Sequence, residues 1–310
     1  MPPRRDAVVY VRNRRLDGGL AHLSGVDPLS GGMESFSLDG WNTAFTVMGA
    51  GPPVVLIHNA GCDHQNWTPI ARQLARTRTV ILPDLLGFGA SDAPSIPFTL
   101  ENYGRQLLAL LDHLEVDTAD IVGHCVGGAT ALWLARHHPA RIRRLILFTP
   151  ATPSTLAGGP VGWIPAAVRR LGADRVLEPL VHRVLRRRIG RATFLRFLFG
   201  GRGCEDPAFL EHLDQLYQRP ENLRGLANLM RSFQSFRTLD EPWPEPLPPT
   251  LLVWGRQNRL LPWFSSGRFR RALGADKTVA LPGLGHLCVR EAPQEVGRLI
   301  EEWLHFEDAS

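Results

Sequence analysis

Lysine is almost missing from this chain: Lys277 is the only one in 310 residues, and the net charge of +5 is therefore an arginine charge. Such a bias reads first as the codon bias of a GC-rich genome. Cysteine is scarce too, with Cys62, Cys125, Cys204 and Cys288 far apart and no C-x-x-C pair, which excludes the usual zinc and dithiol redox motifs. No apolar run is long enough to span a bilayer, and arginines break the N-terminus where a signal peptide would need an apolar stretch. A reducing cytoplasm and free thiols are the expectation, with no membrane span. The arginine-rich run 168–196 comes with no helix-turn-helix, zinc-finger or RNA-binding signature. It reads as a solvated helix face or as a surface for an acidic protein or anionic substrate, and not as a nucleic-acid site.

What is present is a globular composition, 44% hydrophobic, enough to bury a large core. Short runs rich in Val, Ile and Leu occur at 53–58, 79–84, 120–124, 144–149, 250–255 and 277–281, apolar on both faces as buried parallel strands are. Helical patterns fill 66–76, 100–114, 126–137, 263–273 and 291–306. The alternation predicts an α/β sheet with right-handed crossovers. An antiparallel hairpin precedes it, 35–38 and 43–48 flanking Asp39-Gly40. The rhythm stops after Pro150: 151–249 has no strand candidate and closes on the proline-dense EPWPEPLPP, so it reads as an inserted helical cap. The expected organisation is an arm at 1–33, a core at 34–150 and 250–310, and the cap between them.

One turn carries the chemistry. Gly123-His124-Cys125-Val126-Gly127 joins a buried strand to a small-residue helix start, the spacing of a nucleophile elbow with sulfur as the nucleophile. His58-Asn59-Ala60-Gly61, Trp67, the turn Asp84-Leu-Leu-Gly-Phe-Gly-Ala-Ser-Asp92 and Gly285-His286 follow in matching order. Over about 35–150 and 240–306 the chain resembles the α/β-hydrolase superfamily. The resemblance implies a mostly parallel eight-stranded sheet with helices on both faces and a cap. It also implies His286 as catalytic base and an oxyanion hole from the backbone N–H groups of Ala60 and Val126. Asn59, His124 and Trp163 are candidate substrate contacts, with His124 and His58 also readable as braces of the elbow and the oxyanion loop. Trp163, Phe194, Phe197 and Phe233 are candidate pocket walls; no metal or cofactor is called for.

The third triad position departs from the family pattern. Where Gly-x-x-Asp is expected the chain has Gly255-Arg256-Gln257-Asn258, and Pro150-Ala-Thr-Pro-Ser offers no acid either. A thiol can hand its proton to histidine in advance, so that an amide need only orient the ring. A Cys125–His286–Asn258 triad with a low-pKa thiol is thus expected, Asp240 being the fallback orienter. Sulfur at the elbow favours exchange with thioesters. Within the superfamily it resembles thioesterases, Dieckmann-type release cyclases and dienelactone hydrolases. The expected activity is acyl transfer through Cys125, hydrolysing or cyclising a small acyl thioester or ester of specialised metabolism, delivered by an acyl carrier protein or coenzyme A. A lyase or eliminase, a carbon–carbon bond hydrolase and a non-catalytic binding protein are the alternatives.

Overall fold

The computed structural model describes residues 32–159, 206–243 and 246–305. Its sheet has eight strands in the order β1-β2-β4-β3-β5-β6-β7-β8: β1 Met33–Leu38, β2 Trp41–Met48, β3 Pro53–Ile57, β4 Thr79–Pro83, β5 Ala119–His124, β6 Ile142–Phe148, β7 Thr250–Gly255 and β8 Lys277–Leu281. β1 and β2 pair antiparallel with Met33 opposite Thr46, β2 pairs antiparallel with β4, and the remaining pairs are parallel. Each central strand lies within a residue or two of its expected run. All six residues of β5 and of β7 are buried, because helices cover both faces of a parallel sheet and leave no polar side to expose.

Two apolar layers flank the sheet. One includes Phe45, Ile57, Leu107, Leu132, Trp254 and Cys125 itself; the other packs Trp67, Ile70, Phe148 and Val253 against the helix Pro293–His305 through Val296 and Ile300. Glycines permit the closest approaches at the elbow. A Cβ on Gly123 would stand 2.3 Å from Gly127 O, and one on Gly127 would stand 2.4 Å from Ile57 O. β3, β5 and the helix Val126–His137 could not meet with larger residues there.

Of the insert, the described residues form helices at Pro153–Leu156, Pro207–Gln218 and Pro220–Ser232 and a 3₁₀ turn at Phe233–Asp240. The helix Pro207–Gln218 packs on the loop after β3, and Gly225 of the helix Pro220–Ser232 lies against Gly87 after β4. Phe209, Leu213, Leu216 and Tyr217 cluster with Cys62 and Leu287, and His212 Nε2 donates to Asp63 Oδ2 at 2.7 Å. Arg290 pairs with Asp206 and lies over the Phe209 ring, 4.0 Å from its centroid. The arginine-rich run, most of the N-terminal arm, Trp163, Phe194, Phe197 and Cys204 lie outside the described residues. Among the described residues no helix is long and apolar enough to cross a membrane.

Candidate active site

Cys125 sits between β5 and the helix Val126–His137 with φ +56° and ψ −109°, a left-handed backbone that costs a non-glycine residue on the order of 1–3 kcal/mol. The surroundings hold it there. Its N–H donates to Phe148 O at 2.9 Å, and its carbonyl accepts from Ala129 and from Ala151, each at 3.0 Å. The thiol is nearly buried, 6% exposed. Burial pushes it up to about 12, while backbone hydrogen bonds from Val126 and Ala60 pull the other way. The two N–H groups expected to form an oxyanion hole therefore converge on Sγ.

That burial corrects one expectation. A low-pKa thiol needs a cationic or strongly dipolar neighbour to outweigh desolvation. The ring across the site is not cationic: burial, then the neighbouring His124, drives the His286 pKa well below its ordinary value. Burial thus favours a neutral thiol on Cys125 and a neutral imidazole on His286.

His286 follows Gly285, whose N–H donates to Glu291 Oε2 at 2.9 Å. Asn258 reaches it from the turn after β7, as the spacing implies: Asn258 Nδ2 lies 3.2 Å from His286 Nδ1. The two loops are zipped together by Gln257 N–H on Leu284 O at 2.9 Å. At Gly255 a Cβ would stand 2.2 Å from Gly285 O. Asp240, the fallback, is occupied elsewhere. Its carboxylate accepts from Thr152 Oγ1 at 2.7 Å, from Ser154 N at 2.9 Å and from the Ser154 hydroxyl, so it caps the short helix after β6.

Two candidate substrate contacts turn out to be braces. Asn59 is 1% exposed; its Oδ1 accepts from Asn66 Nδ2 at 2.9 Å and its Nδ2 donates to Ala60 O at 3.2 Å. His124 donates from Nε2 to the His286 carbonyl at 2.8 Å, and its Nδ1 accepts from Asn66 Nδ2 at 3.5 Å. A polar chain thus runs from the oxyanion loop through Asn66 and His124 to the backbone of His286. Both ring nitrogens of His124 are engaged inside the protein, and both amide atoms of Asn59 have a protein partner, as burial requires of polar atoms. Asn66 carries no signal in the sequence, because a buried asparagine one residue before Trp67 has no periodicity to betray it. His58 behaves as a brace, Nδ1 donating to Asn59 O at 2.8 Å and Nε2 accepting from Leu85 N at 2.9 Å.

Phe233, a candidate wall, stacks on Phe236 with centroids 4.6 Å apart and packs at the margin of the cluster that contains Cys125. A cleft of about 330 Å³ opens between Ala93–Phe98 and the helix Pro220–Ser232, with Arg224, Asn228 and Arg231 on its wall. None of the residues gathered around Cys125 lines it.

Burial lowers His58, His124 and His286 alike, His124 to about 4. In the unfolded chain each titrates near its ordinary value, so below about pH 6.5 the unfolded state binds more protons and stability falls with pH. The stabilisation is full above pH 6.5 and is lost as the pH drops towards 4. For His124 this amounts to about 3 kcal/mol. Calorimetry from pH 7 to 4.5 should show a falling Tm, and His124→Gln, which can still donate to the His286 carbonyl, should make that fall visibly shallower.

The fold is shared with known proteins. Residues 52–175 match the model of the α/β-hydrolase fold family. A 2-hydroxy-6-oxo-2,4-heptadienoate hydrolase of Pseudomonas putida is 30% identical over 90% of this chain and 96% of its own length. A 2-hydroxymuconate semialdehyde hydrolase of the same species is 28% identical over 87% of this chain and 93% of its own. Among solved structures, the enol-lactonase of Burkholderia xenovorans superposes with a TM-score of 0.67 at 21% identity, covering 87% of this chain and 99% of that one.

Proposed function

Because this chain belongs to the α/β-hydrolase superfamily, we propose that it hydrolyses a carbon–carbon bond beside a ketone in a small, enol-bearing acid, with Cys125 as nucleophile. The observation that carries the reading is Cys125 itself, held at φ +56° under the converging N–H groups of Ala60 and Val126. Sulfur there adds to a carbonyl carbon, and the two N–H groups hold the oxyanion as it forms. The carbon–carbon bond then breaks, its electron pair leaving with the second fragment. Water hydrolyses the resulting S-acyl cysteine, releasing a carboxylic acid and restoring the thiol. The bond type is taken from the two Pseudomonas relatives, whose names describe 6-oxo-dienoate and semialdehyde substrates.

The element at the elbow favours a second reading. A Cys125 thioester is nearly equal in energy to a carrier-bound acyl thioester, so the same residues suit acyl transfer from coenzyme A or an acyl carrier protein, ending in hydrolysis or cyclisation. In either reading His286 and Asn258 serve the thiol.

Rapid quenching followed by intact mass separates the two. With a 2-hydroxy-6-oxo-dienoate the first reading expects loss of the dienol chromophore and a transient acyl adduct on Cys125. An adduct formed only from an acyl thioester, with the dienoate untouched, would overturn it in favour of the second.

A further inference from the structure

The cleft away from Cys125 carries charge of one sign. One wall is the helix Pro220–Ser232, which turns Arg224, Asn228 and Arg231 towards it, the i, i+4 and i+7 positions that share one helix face. The opposite wall is the run Ala93–Phe98 after β4, in which no residue is charged. No carboxylate stands among the described residues that line the cleft. Glu221 pairs with Arg224 at 3.0 Å from outside it, but the arginine is 65% and the glutamate 57% exposed, and so solvated a pair leaves most of the positive charge to a ligand.

The walls are also held in place. Asn228 Nδ2 donates to Ile96 O at 2.5 Å, and Phe98 N–H donates to Ser232 Oγ at 3.1 Å, so helix and run are fastened to each other at two points. Asn102 Nδ2 donates to Pro97 O at 2.7 Å, and the rings of Pro94 and Pro97 fix the backbone of the run. At Gly225 a Cβ would stand 2.1 Å from Gly87 O. The helix already touches the turn after β4 there and cannot slide inward to close the gap. An opening of about 330 Å³ held in this way admits a small molecule without the cost of ordering its walls.

We propose that this cleft is a second binding site, separate from Cys125, for a small organic anion with a carboxylate or phosphate head and a short apolar body, and that its occupant fastens the helix Pro220–Ser232 to the segment after β4. The head accepts from the guanidinium groups of Arg224 and Arg231, whose forked donors match carboxylate and phosphate oxygens in pairs. Arg224 and Arg231 stand two helical turns apart, about 10 Å, a span that two arginine side chains close onto one group. The apolar body lies on Ile96 and Pro97. A ligand that touches both walls adds to the two hydrogen bonds already joining them, and by mass action it stabilises the joined state. The site stands whichever reaction Cys125 performs.

The test titrates the full-length protein calorimetrically with phenyl phosphate, phenylacetate and inorganic phosphate in separate arms, the ionic strength being held with sodium chloride. The expected result is saturable one-to-one binding of a phenyl compound, tighter than that of inorganic phosphate; the tighter of the two phenyl compounds identifies the head group. Arg224→Gln and Arg231→Gln should each weaken that binding about tenfold. Ser95→Glu, which sets a carboxylate at the cleft from an exposed position, should abolish it. All three positions are exposed and glutamine is a good helix former, so each variant should keep the thermal transition of the unsubstituted protein. No saturable binding of any probe overturns the site, and so does binding that is unchanged in all three variants. Hydrogen exchange reads the fastening. At about ten times the dissociation constant of the tighter probe, amides of Pro220–Ser232 and Ala93–Phe98 that open by separation of the two walls should exchange about tenfold more slowly. Unchanged exchange in the face of measured binding overturns the fastening.

Discussion

Replacing Cys125 by serine is expected to lower turnover about 10³-fold or more, and adding Asn258→Asp should recover a part of that loss. The serine hydroxyl is a far weaker acid than the thiol, and it needs a base whose charge is supported as the proton moves. His286 in its present setting is a poor one: Asn258 directs a donor at Nδ1, and burial disfavours the imidazolium. Aspartate at 258 would reverse both effects by accepting from Nδ1–H and by offering a negative charge. The gain should be larger in the serine background than with the native cysteine, because residues of one catalytic unit do not contribute independently. The measurement is a double-mutant cycle on steady-state turnover, each variant first checked for its thermal transition. If Asn258→Asp changes the rate by the same factor in both backgrounds, Asn258 does not act through His286.

The largest expected effect on stability lies at the other end of β5. Asp120 is fully buried and gathers three arginines. Arg78 Nη1 donates to Oδ2 at 3.1 Å, Arg143 Nε donates to Oδ1 at 2.9 Å, and Arg144 Nη1 stands 3.6 Å away. Arg78 and Arg144 are themselves buried, their side chains 4% exposed. Removing the carboxylate in Asp120→Ala would leave buried guanidinium groups without their counter-charge, a change that costs about 3–5 kcal/mol. Denaturant unfolding should show a midpoint shift of that size with little change in slope. Because β5 carries the elbow, loss of activity should accompany loss of fold and not precede it. A shift below about 1 kcal/mol would mean that the cluster behaves as a solvated surface network.

Several features of this protein were legible in its residues. The buried strands announce themselves because a run such as Val54–Ile57 is apolar on both faces, which only a sheet covered on both sides requires. The elbow is legible because glycine is compulsory wherever strand and helix backbones nearly touch, and Gly123 and Gly127 bracket Cys125 at that spacing. The Asn258 contact with His286 was legible for a related reason: a turn fixed by Gly255 and a loop fixed by Gly285 bring their third and first following residues together. Local composition also marked where the strands pause and resume, since strand patterning ends at Pro150 and β7 begins at Thr250.

Which atom of Asn258 faces the histidine was not legible, nor was the protonation state of Cys125. The first depends on the N–H of Leu261, which donates to Asn258 Oδ1 at 2.9 Å; every residue but proline possesses such a backbone group, and no side-chain pattern reveals it. The second depends on how completely the apolar cluster closes over Sγ. Asn59 and His124 look like substrate contacts in a string of letters and become braces once Asn66 stands between them. Sequence alone determined the sheet and the elbow turn, because those follow from periodicity and from where a Cβ cannot fit. Only the tertiary structure decided which groups donate and which accept, because hydrogen-bond direction and desolvation are properties of neighbours brought together from β3, β5, β7 and the loop after β8.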